Sequence, residues 1–196
     1  MGTTCSILVL SKSEIPVQIL RDMLPRDLYP NILFSSSIAQ ARRQLIQRKI
    51  NLLIIDIPLK EESGIRFAQE ISQRSTPGVL LMMNSSMYHQ YAARMEDTGI
   101  PVLAKPLSHQ ALYQSIRLLT TMQKRIEHFE QEKLVLQDKM KEIQIINQAK
   151  WLLVEKYNWT EDKAHRHIQK KAMDLCCTKY ELAQNIIKKI KQGGSL

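Results

Sequence analysis

Through the first 119 residues, short apolar runs alternate with stripes of apolar residues at helical spacing. Ile7–Leu10, Ile32–Phe34, Asn51–Asp56, Val79–Met83 and Val102–Ala104 are the runs. Between them, Ser13 can cap a helix with Pro16 in its first turn and Val17, Ile19, Leu20, Met23 and Leu24 behind it. Ser37 opens a second, with Ile38, Ala41, Leu45 and Ile46. A third carries Ile65, Phe67, Ala68 and Ile71, and a fourth spans Met87–Asp97. Asn51–Asp56 is apolar at successive positions, as a strand buried on both faces must be. Strands alternating with helices predict βαβ units, here a five-stranded parallel sheet with helices on both sides.

Beyond Pro106 there is no proline, and between Gly99 and Gly193 no glycine, so nothing forces a helix to stop. A helix from Ser108 to about Tyr157 would be roughly 75 Å long at 1.5 Å per residue. Leu119, Ile126, Lys133, Met140 and Asn147 recur every seven positions, as do Met122, Phe129, Leu136 and Ile143. The two series interleave as the a and d positions of a coiled coil, with Lys133 and Asn147 as polar intrusions that fix register. The predicted dimer seam is therefore Leu119, Met122, Ile126, Phe129, Leu136, Met140 and Ile143. The alternative is an amphipathic helix lying on its own domain.

Asn158-Trp159-Thr160 interrupts this periodicity. Thr160 can cap a helix whose first turn carries Glu161 and Asp162, and Thr178 a final one closed by Gly193-Gly194. Ile146, Ala149, Leu153, Ala164, Ile168, Leu182, Ala183 and Ile186 are the expected three-helix core.

Composition narrows the classes. The net charge is +9, and residues 147–196 alone carry +5, so basicity is densest at the C-terminal end and favours a polyanionic partner there. No apolar run approaches the ~20 residues of a membrane span and no signal peptide is evident, so a cytoplasmic protein is expected. Cys5, Cys176 and Cys177 have no CxxC spacing and read as reduced thiols. No nucleophile–base set or phosphate loop is present, and His89, His109, His128, His165 and His167 form no metal-site pattern, so an enzyme is not expected.

In a parallel sheet, chemistry sits at the carboxyl ends of strands, which here present Ser11 and Lys12, then Asp56, then Lys105. A carboxylate facing an ammonium across that edge suits a phosphoryl acceptor. With Asp56 and Lys105-Pro106 in this order, residues 1–119 resemble the receiver domain of response regulators, with a flavodoxin-like fold. The resemblance implies that Asp56 is the phosphoacceptor, with Asn84, followed by Ser85, in the place of the hydroxyl residue after strand four. Receivers carry two acidic residues after strand one to hold Mg²⁺, where this chain has Ser11 and Lys12. With Asp56 alone, weak Mg²⁺ binding and no control by phosphate are expected, with Lys12 a candidate to pair with Asp56 in the metal's stead.

The stretch INQAKWLL, followed by WTEDKAHRHIQKKAM and YELAQNII, resembles the ANTAR domain, the RNA-binding module of transcription antitermination regulators. Ala149-Lys150, Ala164, Ala172-Met173 and Ala183 carry the likeness. The whole architecture is similar to amidase-operon-type antiterminators: receiver-like domain at 1–119, coiled-coil linker at 120–135, ANTAR module at 136–196. That implies a coiled-coil homodimer that binds hairpins in nascent mRNA leaders, with a sensor or other regulatory protein as a further partner of the front domain. Lys150, Lys156, His165, Arg166, Lys170, Lys171 and Lys179 are the candidate RNA contacts, with Arg166 and Lys170 four apart on one helix face. Trp159 and Tyr180 are candidates for base stacking, and they and Trp151 suit core packing equally. Cys176-Cys177 stand where the family is often arginine-rich. A DNA-binding regulator and a protein-docking adaptor remain the alternatives.

Overall fold

The computed structural model describes residues 4–59, 64–74 and 76–192. The chain forms two compact units, 1–128 and 129–196. In the first, β1 (Ser6–Leu10), α1 (Ile15–Met23), β2 (Asn31–Ser35), α2 (Ile38–Gln47), β3 (Leu52–Asp56), α3 (Gly64–Ser72), β4 (Gly78–Asn84), α4 (Ser85–Glu96) and β5 (Val102–Lys105) follow in strict alternation. α5 (His109–Tyr157) is continuous over 49 residues, and α6 (Glu161–Asp174) and α7 (Lys179–Lys191) follow it.

The five strands make one sheet in the order β2-β1-β3-β4-β5, all pairs parallel. Successive side chains of a strand point to opposite faces. Ile7, Val9, Leu52, Ile54, Leu80 and Met82 accordingly share a core with Val17 and Leu20 of α1 and Leu112, Ile116 and Leu119 of α5. Leu8, Leu10, Leu53, Ile55, Leu81 and Met83 join Ile38 and Ala41 of α2, Phe67, Ala68 and Ile71 of α3 and Met95 of α4. By this alternation Asp56, the last residue of β3, falls on the α1/α5 face.

Ser37 caps α2 by accepting from the Gln40 N–H. Ser13 does not cap α1: Glu14 is the N-cap and makes no side-chain bond, while the Ser13 N–H donates to Ser11 Oγ. The turn is used to hold Ser11. The seam expected on α5 is shorter than its repeat. Leu119 is buried in the first unit's own core, with only 8% of its surface exposed, whereas Met122, Ile126, Phe129, Leu136, Met140 and Ile143 are exposed. Leu119 lies some sixty degrees round the helix from Met122, on the side that meets the sheet.

In the second unit Ala149, Leu153, Ala164, Ile168, Ala172, Leu182, Ala183 and Ile186 form the core, with Ile146 packed against it. Thr160 caps α6 through the Lys163 N–H. Thr178 and Glu181 form a reciprocal capping box at the start of α7, and the Thr178 N–H and hydroxyl hold the Glu181 carboxyl below the usual carboxylate range. The expected closure at Gly193-Gly194 lies outside the described residues.

Candidate functional site

β3 delivers Asp56 and β5 delivers Lys105 to the carboxyl edge of the sheet. The Lys105 ammonium donates to Asp56 Oδ1, with the two side chains 30% and 14% exposed. Ser11, fully buried after β1, donates its hydroxyl to Asp56 Oδ2 at 2.9 Å. Both carboxylate oxygens are thus engaged within the protein. Lys12, the residue expected to reach Asp56, is exposed, and Ser11 takes its place. Asn84 ends β4 and is exposed, without a cap bond from its side chain. The hydroxyl near Lys105 is that of Ser85, which donates to the Lys105 carbonyl at 2.8 Å.

Mg²⁺ takes near-octahedral oxygen ligation through one or two carboxylates, and Asp56 is the carboxylate that β3 brings to this edge. Here the buried Ser11 hydroxyl donates to one oxygen of Asp56 and the Lys105 ammonium to the other. Among the described residues no cluster of three or more His, Cys, Asp or Glu side chains forms a metal site.

The cationic candidates of the second unit divide by position. Lys150 is only 15% exposed and pairs with Glu161 Oε1 at 2.8 Å, tying α5 to the first turn of α6. That ammonium holds the Glu161 carboxyl below its ordinary range. Lys171 is half-buried, and Lys156 lies 5.9 Å from the Tyr157 ring. His165, Arg166, Lys170 and Lys179 are exposed. Arg166 has 82% of its side chain in solvent, with Asp162 3.9 Å away. The core stripe Ala164, Ile168 and Ala172 leaves Arg166 and Lys170 together on the outer face of α6.

The aromatic side chains divide in the same way. Trp159 packs between Tyr157, at 5.4 Å, and His167, at 4.9 Å, with the Lys163 ammonium 4.9 Å from its ring. It is partly buried and packs against the core of this unit. The Tyr180 hydroxyl accepts from Gln184 Nε2 at 2.7 Å. Trp151, in contrast, is 71% exposed on α5. Burial pushes the His167 imidazole below its usual pKa, and nearby Lys171 adds to the shift.

Comparison with known proteins joins these two halves. A model of the response regulator receiver domain matches residues 7–117, and one of the ANTAR domain matches residues 135–187. The chain is 31% identical over 141 residues to the transcriptional regulatory protein PdtaR of Mycobacterium tuberculosis, covering 71% of this chain and 68% of that one. It is 29% identical over 82 residues to the sensory transduction protein LytR of Streptococcus agalactiae, covering 41% of this chain and 32% of that one. The signal receiver domain of an HD domain-containing protein from Pseudomonas fluorescens Pf-5 shares the fold, with a TM-score of 0.56 at 24% identity over 67% of this chain and 95% of that one. The N-terminal receiver domain of a Bacteroides fragilis two-component response regulator does so with a TM-score of 0.52 at 15% identity, over 62% and 98%. No helix among the described residues is long and apolar enough to cross a membrane. With the receiver model covering more than half of its length and the ANTAR model following, the chain belongs to the response regulators that carry an ANTAR domain.

Proposed function

We propose that this response regulator is an RNA-binding transcription antiterminator that grips hairpin elements of a nascent mRNA leader and so keeps a terminator from forming. The observation that carries this reading is the ANTAR match combined with a cationic outer face on α6, where Arg166, Lys170 and His165 are exposed. Phosphate contacts from Arg166, Lys170 and Lys179 supply affinity, and exposed Trp151 offers a face on which an unpaired loop base stacks. Lys150 is a positioning residue through its pair with Glu161.

The protein acts as a homodimer through the apolar stripe of α5, from Met122 to Ile143, all of whose members except Lys133 lie exposed as large hydrophobics. The receiver unit serves as a docking domain for a regulatory protein, without phosphate on Asp56, because Ser11 and Lys105 already hold both oxygens.

Titration of the full chain with a two-hairpin leader RNA, and with duplex DNA of equal length, tests the first claim. RNA binding is expected to weaken linearly with the logarithm of salt as counterions are released. The double change Arg166→Ala, Lys170→Ala is expected to lower affinity and reduce the salt slope by about 2. Equal binding to RNA and duplex DNA at every salt concentration overturns the reading.

A further inference from the structure

On the α1/α5 face of the receiver unit, a cavity of about 250 Å³ opens beside the Asp56–Lys105 pair. Its walls are apolar, with Ile19 and Leu20 from α1, Met82 from β4, Leu107 from the loop after β5 and Leu112 from α5. Asp56 and Lys105 also line it, and His109 is the remaining polar side chain. An enclosed apolar space of roughly 150 Å³ already holds a benzene ring, so this one has room for a body of about ten heavy atoms. We propose that the cavity is a small-molecule site for a neutral, apolar-bodied ligand with a hydrogen-bond donor and an acceptor side by side in its head group, as in a carboxamide, lactam or urea.

The head-group chemistry follows from the ion pair. Asp56 and Lys105 compensate each other, so a carboxylate ligand attracted to Lys105 meets the repulsion of Asp56, and an ammonium ligand meets that of Lys105. Either also leaves its own water behind without a counterion of its own. A neutral amide meets neither obstacle. The ammonium has three donors, one bound to Asp56 Oδ1 and one reaching the Ile57 carbonyl at 3.5 Å, and retains a third for a ligand carbonyl oxygen. The two carboxylate oxygens together have about four lone-pair sites, of which Lys105 and Ser11 use two, leaving room for an amide N–H. The ligand therefore binds over the intact pair, and its apolar body against the apolar walls lowers the local dielectric and strengthens both hydrogen bonds.

This inference rests on the reading that Asp56 is held by Lys105 and does not carry phosphate; it is independent of RNA binding. The test is calorimetric titration of the full chain with three probes of one size, benzamide, benzoate and benzylamine. Benzamide is expected to bind in the high-micromolar to millimolar range, about what a ligand of nine heavy atoms achieves. The two charged probes are expected to bind about tenfold more weakly. Ile19→Trp, which fills the cavity from its rim, is expected to abolish benzamide binding. Lys105→Met should transfer the preference to benzylamine and Asp56→Asn to benzoate; should these two fail to fold, the probe series and Ile19→Trp still decide. Absence of saturable benzamide binding below roughly 50 mM, benzoate binding more tightly than benzamide, or binding that survives Ile19→Trp overturns the proposal. Intact-mass measurement after acetyl phosphate with Mg²⁺ tests the underlying reading separately: phosphate on Asp56 overturns that reading, whereas an unmodified chain that ignores benzamide overturns the cavity proposal alone.

Discussion

Asp56 receives hydrogen bonds at both carboxylate oxygens from its own protein, from the Lys105 ammonium and the Ser11 hydroxyl. Replacing it with alanine strands the Lys105 ammonium, 30% exposed, and the fully buried Ser11 hydroxyl. Asp56→Ala is expected to destabilise the receiver unit by about 2 kcal/mol, between the loss of one buried polar partner and that of a fully buried ion pair. Far-UV circular dichroism in urea measures it. In a responsive receiver the same change would abolish a phosphate-driven shift in assembly; here sedimentation with acetyl phosphate and Mg²⁺ is expected to be unchanged both before and after it. His167 gives a prediction in pH. Its folded pKa is depressed, because burial against Trp159 disfavours the imidazolium and Lys171 opposes it further, with Lys163 beside the same ring. Above the ordinary imidazole value of about 6.5 neither state binds the proton, and the contribution is complete. As pH falls below it the unfolded chain is protonated first, so stability is lost down to the folded pKa. Glu161 and Glu181 are also depressed, but below the ordinary carboxylate range, so they act at lower pH. Trp159 fluorescence in a Trp151→Phe chain is expected to show a lower melting midpoint at about pH 5.5 than at about pH 7.5, and His167→Gln to remove that difference.

At the scale of elements, α5 has along its first turns a buried face and an exposed one. One face belongs to the receiver: Ile116 and Leu119 enter its core, and Gln123 is buried against the start of β4, where a Cβ on Gly78 would come within 2.8 Å of its amide nitrogen. Lower on the same face, Glu127 accepts from Asn51 Nδ2 at 3.2 Å and pairs with Lys49 at 3.1 Å. Asn51 Oδ1 in turn accepts the Ser6 N–H at 2.9 Å, so one side chain joins β1, β3 and α5. Asn51→Ala is expected to destabilise the receiver unit by about 1–2 kcal/mol, whereas Lys49→Ala, at a side chain 76% exposed, changes stability by less than about 0.5 kcal/mol; urea midpoints separate the two. The strands and most helices were legible because two-sided burial writes an apolar run, as in Leu52–Ile55, and because capping residues such as Ser37, Thr160 and Thr178 are local signals. Leu119 was misplaced for a physical reason: an apolar residue in a heptad records that it is covered, not by what. The Asn51–Glu127 bond joins residues 76 apart, and no local pattern announces it. The same holds for the basic candidates, since the charge of Lys150 is visible in the sequence but its pairing with Glu161 is not.

At the scale of the whole molecule, the proposed dimerisation and the proposed RNA recognition would be linked through valency. Met122, Ile126, Phe129, Leu136, Met140 and Ile143 are exposed, and a fully buried side chain of this kind stabilises by roughly 1.5–3 kcal/mol, so burying six from each chain against a second copy outweighs the unfavourable Lys133 in the seam. In a parallel in-register pair Arg125 falls five residues before the partner's Glu130, the spacing at which the flanking g and e positions meet with opposite charge. On the proposed reading each dimer carries two ANTAR units, and a transcript with two hairpins would engage the second without a second diffusional encounter. Linked sites of this kind gain 10²–10⁴-fold in affinity, as an order of magnitude, with no new contact. The double change Leu136→Glu, Ile143→Glu places like charges inside the seam and is expected to give a monomer by sedimentation. That monomer should bind a single hairpin as well as the parent chain does, because Arg166, Lys170 and Trp151 are untouched. On the two-hairpin RNA it should fall by about the linkage factor, to the single-hairpin value. A monomer that keeps the full two-hairpin affinity means that one ANTAR unit reads the whole element, and the role given to the α5 stripe is then wrong.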